Sequence, residues 1–276
     1  MRTWQIVVLV AGLLVAGGAL RADGTAPPPK AWEVAGTQAG QEITGPDGGT
    51  MVWVPAGSFL MGSPDQEGYG NEHPQHQVRI TQGFWLGKCT VTNAQYARYC
   101  QATGVALPED SNQGDNHPVV NMTWFDAKAY CVHYGLSLPT EAQWEYAARG
   151  PEGRKYPWGD QWDKDKCCNV GNQGPKGQTF PVGSFPAGAS WCGVLDMAGN
   201  VWQWCQDWYD DKYYANSPTQ DPPGPDTPGA DTGDWRVLRG GSWLNGAGLC
   251  RSAYLRFNDP EHRLDLGGGF RCSRTP

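Results

Sequence analysis

Nine cysteines are the residues of this 276-residue chain with the widest chemical reach: Cys89, Cys100, Cys131, Cys167, Cys168, Cys192, Cys205, Cys250 and Cys272. A thiol can close a disulfide, bind a soft metal as thiolate or attack an electrophile. The chain has no Cys-x-x-Cys and no Cys/His spacing of a zinc module, which argues against structural zinc. Their number is odd, so at least one thiol stays free or pairs between chains. His73 and His76 stand close together, but Pro74 between them breaks any helix that would aim both rings at one metal. Asp221, Asp226, Asp231 and Asp234 fall in a Pro/Gly/Asp-rich insertion, 217–234. Their carboxylates are calcium-type ligands, but the composition reads first as a solvated surface loop.

The frame that must position these groups is unusual. Glycine (38) and proline (22) make up more than a fifth of the chain, with 14 tryptophans and only 18% charged residues. The apolar share is nonetheless ordinary, which excludes disorder for the whole. So much Gly and Pro excludes a helical bundle, and the absence of a three-residue glycine period excludes collagen. The expectation is one loop-rich domain pinned by aromatic anchors, long enough for a sizeable core.

Residues 1–22 carry the marks of an export signal. Arg2 supplies the positive end, Ile6 to Leu20 form an uncharged stretch of 15, and Ala19 and Ala22 offer small residues for cleavage before Asp23. That stretch is shorter than the roughly 18 residues of a membrane-spanning helix. The mature chain is therefore expected in the periplasm or outside the cell, with no membrane span. Losing Arg2 and Arg21 takes the net charge from −7 to −9. An acidic balance without a basic run argues against nucleic acid as a partner.

Residues 23–50, with Ala26–Pro29 reading APPP, are expected as a flexible tether, and the folded domain as 51–274. MVWVPAGSFLMGS predicts two short strands around a Pro-Ala-Gly turn, and Val78–Ile80 with Phe84–Leu86 two more. Three helices are announced by capping boxes: Thr92 with Gln95, Thr123 with Asp126, and Thr140 with Gln143, stopped at Gly104, Gly135 and Gly150. In the second, Trp124, Ala127, Cys131 and Tyr134 share one face, so Cys131 is expected in the core. Beyond residue 151 helix signals vanish.

Several segments resemble one known family. They are VWVPAGSFLMGS (52–63), GKCTVTNAQYARYC (87–100), HPVVNMTWFDAKAYC (117–131) and LSLPTEAQWEYAARG (136–150). YPWGD (156–160), GVLDMAGNVWQW (193–204), RVLRGGSW (236–243) and GGFRC (268–272) continue the series. In this order they are similar to the formylglycine-generating enzymes, or sulfatase-modifying factors, across about four-fifths of the chain. The resemblance implies an α+β fold related to the C-type-lectin fold, with little regular secondary structure and short helices and strands joined by long loops. It also implies a reaction: oxidation of a cysteine in a Cys-X-Pro-X-Arg segment of a sulfatase to formylglycine, with oxygen and copper(I). Two cysteines five apart, shortly after the Gly-Gly-Ser motif, hold that copper, which as a soft ion takes thiolates.

This chain departs from the pattern at the metal. Asn245 stands at the first cysteine position and Cys250 at the second, so copper is not expected here. The resemblance places a disulfide at Cys131 and Cys272, while the ends of the family's second bridge are absent. It places calcium at the Asp196 carboxylate, the Gly199 and Val201 carbonyls and Gln203, the alternative being a hydrogen-bonded turn. A second calcium site at Asn169 and Val170 lacks its downstream acid. Trp202 and Ser242 match the reaction pocket, with Trp243, Asn245, Arg251 and Arg256 nearby; packing, a turn and salt bridges are the competing roles. A serine nucleophile would need a histidine base, and only His262 offers itself. The iron-binding His-x3-His-x-Glu motif of related sulfoxide synthases is absent.

Two functions follow as expectations. One is an exported, monomeric oxidoreductase or maturation factor acting on a peptide, protein or small-molecule substrate; family members without the copper pair include a factor in pyoverdine maturation. The other is a lectin-like module that binds a peptide or glycan without turnover, for which rigid Trp and Tyr rings on loops are suited.

Overall fold

Each of the three capping boxes starts a helix. Thr92, Thr123 and Thr140 accept from the N–H three residues on, while Gln95, Asp126 and Gln143 reach back to the cap. They open α1 (Asn93–Thr103), α2 (Trp124–His133) and α3 (Glu141–Arg149). On α2 the side chains of Trp124, Ala127, Tyr130 and Cys131 are buried, and Tyr134, just past its end, is half-buried. Helix α3 is buried on almost every side, as expected of a helix surrounded by other elements rather than lying on a surface.

The computed structural model describes residues 28–108, 113–174, 177–263 and 267–276; the expected export signal lies outside them. Three small sheets accompany the helices. The first runs β1 (Glu42–Thr44), β2 (Thr50–Val54), β5 (Phe84–Gly87), β10 (Ser273–Arg274) in that spatial order. The second is a two-stranded pair, β3 (Gly57–Met61) with β4 (His76–Ile80). The third has the order β8 (Leu255–Asn258), β7 (Arg236–Arg239), β6 (Trp202–Trp208), β9 (Gly268–Gly269), with β6 and β9 parallel. The predicted strands are all present, but β2 and β3 on either side of Pro55 join different sheets.

Two expectations change. Residues 31–50 are not a tether: the compact unit begins at Ala31. Strand β1 pairs antiparallel with β2, and the Trp85 indole donates to the Val34 carbonyl at 2.9 Å. The small polar residues of this stretch masked Trp32 and Ile43, which pack on the core and supply the apolar contact that holds it down. Past residue 151 a short α-helix, α4 (Tyr213–Asn216), does form. In the insertion the aspartates are dispersed: Asp221 accepts from the Thr81 backbone and hydroxyl, and Asp231 pairs with Lys212. Among the described residues no helix is long and apolar enough to cross a membrane.

A charged network ties α3 to the third sheet. The fully buried Arg239 guanidinium pairs with Glu145 and, at 3.4 Å, with Glu141, and donates to the Tyr254 carbonyl at 2.7 Å. Glu145 also accepts from Arg149 (2.7 Å) and from the Gly62 N–H (2.9 Å). Glu141 accepts from the Tyr214 hydroxyl, and its own N–H donates to Asp207. Burial raises the Glu141 carboxyl to about 7 and that of Asp207 well above its ordinary value.

Candidate functional site

The segment after β7 makes the tightest turn near the expected pocket. Gly240 and Gly241 both have positive φ (95° and 77°). A Cβ on Gly241 would lie 2.8 Å from the Cys250 sulfur, so glycine alone lets these two strands of loop approach. Asn245 closes the turn: its Oδ1 accepts from both the N–H and the hydroxyl of Ser242, each at 2.9 Å. Ser242 is buried and also accepts from the Leu244 N–H at 3.4 Å. The hydroxyl expected at the reacting centre is therefore a turn lock. Among the described residues no imidazole hydrogen-bonds it, and the His262 backbone N–H turns to Asp259.

Cys250 is fully buried beneath the same turn, its sulfur 3.9 Å from the Asn245 carbonyl. Its neighbour Cys167, buried in the same small cluster, together with burial raises the thiol pKa well above the ordinary range. The position that should pair with it holds a carboxamide that faces Ser242. A two-thiolate copper(I) site five residues apart does not fit these side chains.

Trp202 and Arg256 do come together. The Arg256 guanidinium lies over the Trp202 ring, 5.3 Å from its centroid, and Tyr254 stands 5.8 Å from the same ring. Tyr69, more than half exposed, meets Tyr254 edge-on at 5.5 Å. The Arg256 Nε has no hydrogen-bond partner among the described residues. Arg251 is different: it makes two bonds to the buried Glu72 carboxylate, at 2.8 and 2.7 Å, and a third to the Ser63 hydroxyl. It braces the wall of a polar cleft of about 370 Å³, lined also by Lys155, Asp160 and Gln161, and is not free to meet a substrate. Trp243 packs flat against Gly267, where a Cβ would fall inside the ring contact, and its backbone N–H bonds the Asn200 carbonyl.

The loop expected to hold calcium has its oxygens engaged. Gln203 Oε1 accepts from the Trp144 indole (2.8 Å) and the Arg271 Nε (2.7 Å), while its amide N–H donates to the Asp196 carbonyl at 2.7 Å. The Asp196 carboxylate accepts from the Gly183 N–H at 2.8 Å. Burial raises the Asp196 carboxyl, and burial next to that acid pushes Cys89 up to about 12. The buried Arg271 guanidinium, lowered to about 10 by desolvation, donates also to the Gly87, Leu195 and Asp196 carbonyls. A calcium ion using Gln203 would displace two donors and face a cation, so the side chains as arranged do not fit it, and Gly199 and Val201 carbonyls alone make no site. Chelation by EGTA is accordingly expected to leave the melting temperature unchanged. A fall of more than about 3 °C in a calorimetric scan, roughly 1 kcal/mol for a chain this size, would restore the ion.

Cys131 on α2 and Cys272 before β10 lie with their sulfurs 3.5 Å apart, both buried and both thiols here. Other features had no signal in the sequence. Glu72 and Arg251 are 179 residues apart, and Tyr254 carries no motif that distinguishes it from a core tyrosine.

The comparisons agree with this geometry. Residues 37–276 match the sulfatase-modifying factor enzyme 1-like domain. The chain is 36% identical to the formylglycine-generating enzyme of Streptomyces coelicolor, over 81% of this chain and 88% of that one. It is 31% identical to hercynine oxygenase of Mycolicibacterium smegmatis, over 80% of this chain and 60% of the other. Among solved structures, PvdO from Pseudomonas aeruginosa aligns with a TM-score of 0.74 and 28% identity, covering 87% of this chain and all of its own. The α+β architecture is that of these relatives, and the chain belongs to the sulfatase-modifying factor family, the family of the formylglycine-generating enzymes.

Proposed function

We propose that this protein is an exported maturation factor of the family, an oxidoreductase acting on a peptide or small-molecule substrate, without the copper-dependent conversion of cysteine to formylglycine. The observation that carries this reading is the fate of the two copper positions: the Asn245 carboxamide locks Ser242, and Cys250 is buried in a cluster with Cys167. The Arg256 guanidinium over Trp202, with Tyr254 beside it, is the place for the substrate. It suits a carboxylate or another anionic group, which a guanidinium binds in a fork. The same platform favours a second reading, binding without turnover, because no nucleophile with a base accompanies it. The protein is proposed to act as a monomer in the periplasm or outside the cell, with its mature N-terminus at Asp23.

The test is mass spectrometry of a Cys-X-Pro-X-Arg peptide incubated with the mature chain, copper(I) and oxygen. The peptide is expected to remain unchanged, and N-terminal sequencing of the exported protein to begin at Asp23. An aldehyde product lost in Cys250→Ser would overturn the reading and show a second copper ligand other than Asn245. Binding of an acidic peptide that weakens at least tenfold in Arg256→Gln would support the platform; no change would remove Arg256 from it.

A further inference from the structure

Cys167 and Cys250 are 83 positions apart in sequence, yet the fold brings them into one cluster. Both are buried in a small cluster with Ala198, flanked by Trp158 and Trp162. The adjacent Cys168 is directed elsewhere: it packs with Val120, Val201 and Trp243, and its thiol meets the Gln178 carbonyl at 3.7 Å. The backbone at Cys167 is extended (φ −156°, ψ 162°), so neighbouring side chains leave it on opposite faces. That orientation singles out Cys167 as the partner of Cys250.

The segments carrying the two sulfurs are already fastened together. The Val170 N–H donates to the Asn245 carbonyl at 3.0 Å, the Asn200 N–H to the Cys168 carbonyl at 2.9 Å, and the Gln173 amide to the Trp243 carbonyl at 3.2 Å. Among the described residues no group of three His, Cys, Asp or Glu side chains is placed to hold a metal ion. Two buried thiols in one small cluster, with backbone held on both sides and no further ligand among the described residues, suit a covalent bridge better than a metal.

We propose that Cys167 and Cys250 close a disulfide that fastens the 167–173 segment to the turn bearing Ser242, Trp243 and Asn245. As the Sγ–Sγ bond forms, the two thiols give up two protons and two electrons. A low-molecular-weight disulfide accepts both pairs and departs as two thiols, through a mixed disulfide on one cysteine that the other resolves. The exchange occurs during folding, while the sulfurs still meet water; burial then shields the bond from reductant. The bridge fits the export part of the proposed function, since disulfides persist in oxidising compartments. The test below uses refolded protein and stands whether or not the chain is exported.

The full mature chain is refolded with oxidised and reduced glutathione, alkylated without reduction, digested and mapped by mass spectrometry. A peptide pair joining Cys167 to Cys250 is expected, and the same map reads Cys131 with Cys272. In oxidising buffer Cys167→Ser is expected to melt roughly 5–10 °C below the wild type, a difference that shrinks to about 2 °C or less in dithiothreitol. If the variant does not fold, the wild-type map decides alone. Alkylation of both cysteines in the wild type, or a link from either to another cysteine, overturns the proposal. So does stoichiometric copper or zinc that is lost in Cys167→Ser.

Discussion

Replacing Arg239 by alanine should cost roughly 3–5 kcal/mol of folding stability, read as a lowered urea midpoint by circular dichroism. The guanidinium is fully buried and serves Glu145, Glu141 and the Tyr254 carbonyl at once. Its removal leaves Glu145 with Arg149 as its remaining cation and Glu141 with none, in a place water does not reach. The desolvation already incurred by these acids is then uncompensated, which costs far more than an exposed ion pair contributes. A further part of the loss comes from the void beside Trp144, whose ring lies 5.6 Å from the guanidinium. Adding Glu141→Gln to the alanine variant should recover part of the stability, because one buried negative charge is removed. An alanine variant within about 1 kcal/mol of the wild type would show that the network is not the brace between α3 and the third sheet.

Gln203→Ala is the second large effect. It strands the Trp144 indole N–H and the Arg271 Nε, both buried and each costing about 1–3 kcal/mol when unpaired, and leaves the Asp196 carbonyl with Arg271 as its donor. With relaxation and entering water offsetting part of that, a net loss of roughly 3 kcal/mol or more is expected. Gln203→Glu separates structure from metal binding. The carboxylate keeps both acceptor contacts and faces Arg271 as an anion, but loses the donor to the Asp196 carbonyl. It also gives the loop a second acid beside Asp196. Calcium is therefore expected to raise the melting temperature of the Glu variant by about 3 °C or more and to leave the wild type unmoved. Calorimetric scans of both proteins, with calcium and with EGTA, check this. A wild type that responds like the variant would mean that Gln203 releases its two donors to the ion.

The sequence and the structure differ in an orderly way. The three helices were legible at both ends because a cap is local chemistry: Thr140, Gln143 and Gly150 determine a start and a stop within ten residues. The strand segments were legible for the same reason, while their partners were not, as β2 and β3 show by joining different sheets. The tether was misjudged because composition weighs small polar residues equally, whereas Trp32 and Ile43 supply the apolar contact that, with the β1–β2 pairing, seats residues 31–50. The pocket was half legible. Trp202 and Arg256 do meet, but Arg251, equally basic and five positions earlier, is consumed by Glu72.

By itself the sequence determined the family, the α+β class and the capped helices, and it put Asn245 where the resemblance implies a copper cysteine. Those rest on residue identity and on spacings of a few positions, which a chain carries before it folds. Only the tertiary structure decided that Ser242 locks a turn, that Gln203 is held by Trp144 and Arg271, and that Cys250 joins Cys167 in one buried cluster. In each case the partner is chosen by which loops the packed core brings together. A buried polar group must be satisfied by whatever lies within about 3 Å once water is excluded, however distant that neighbour is along the chain.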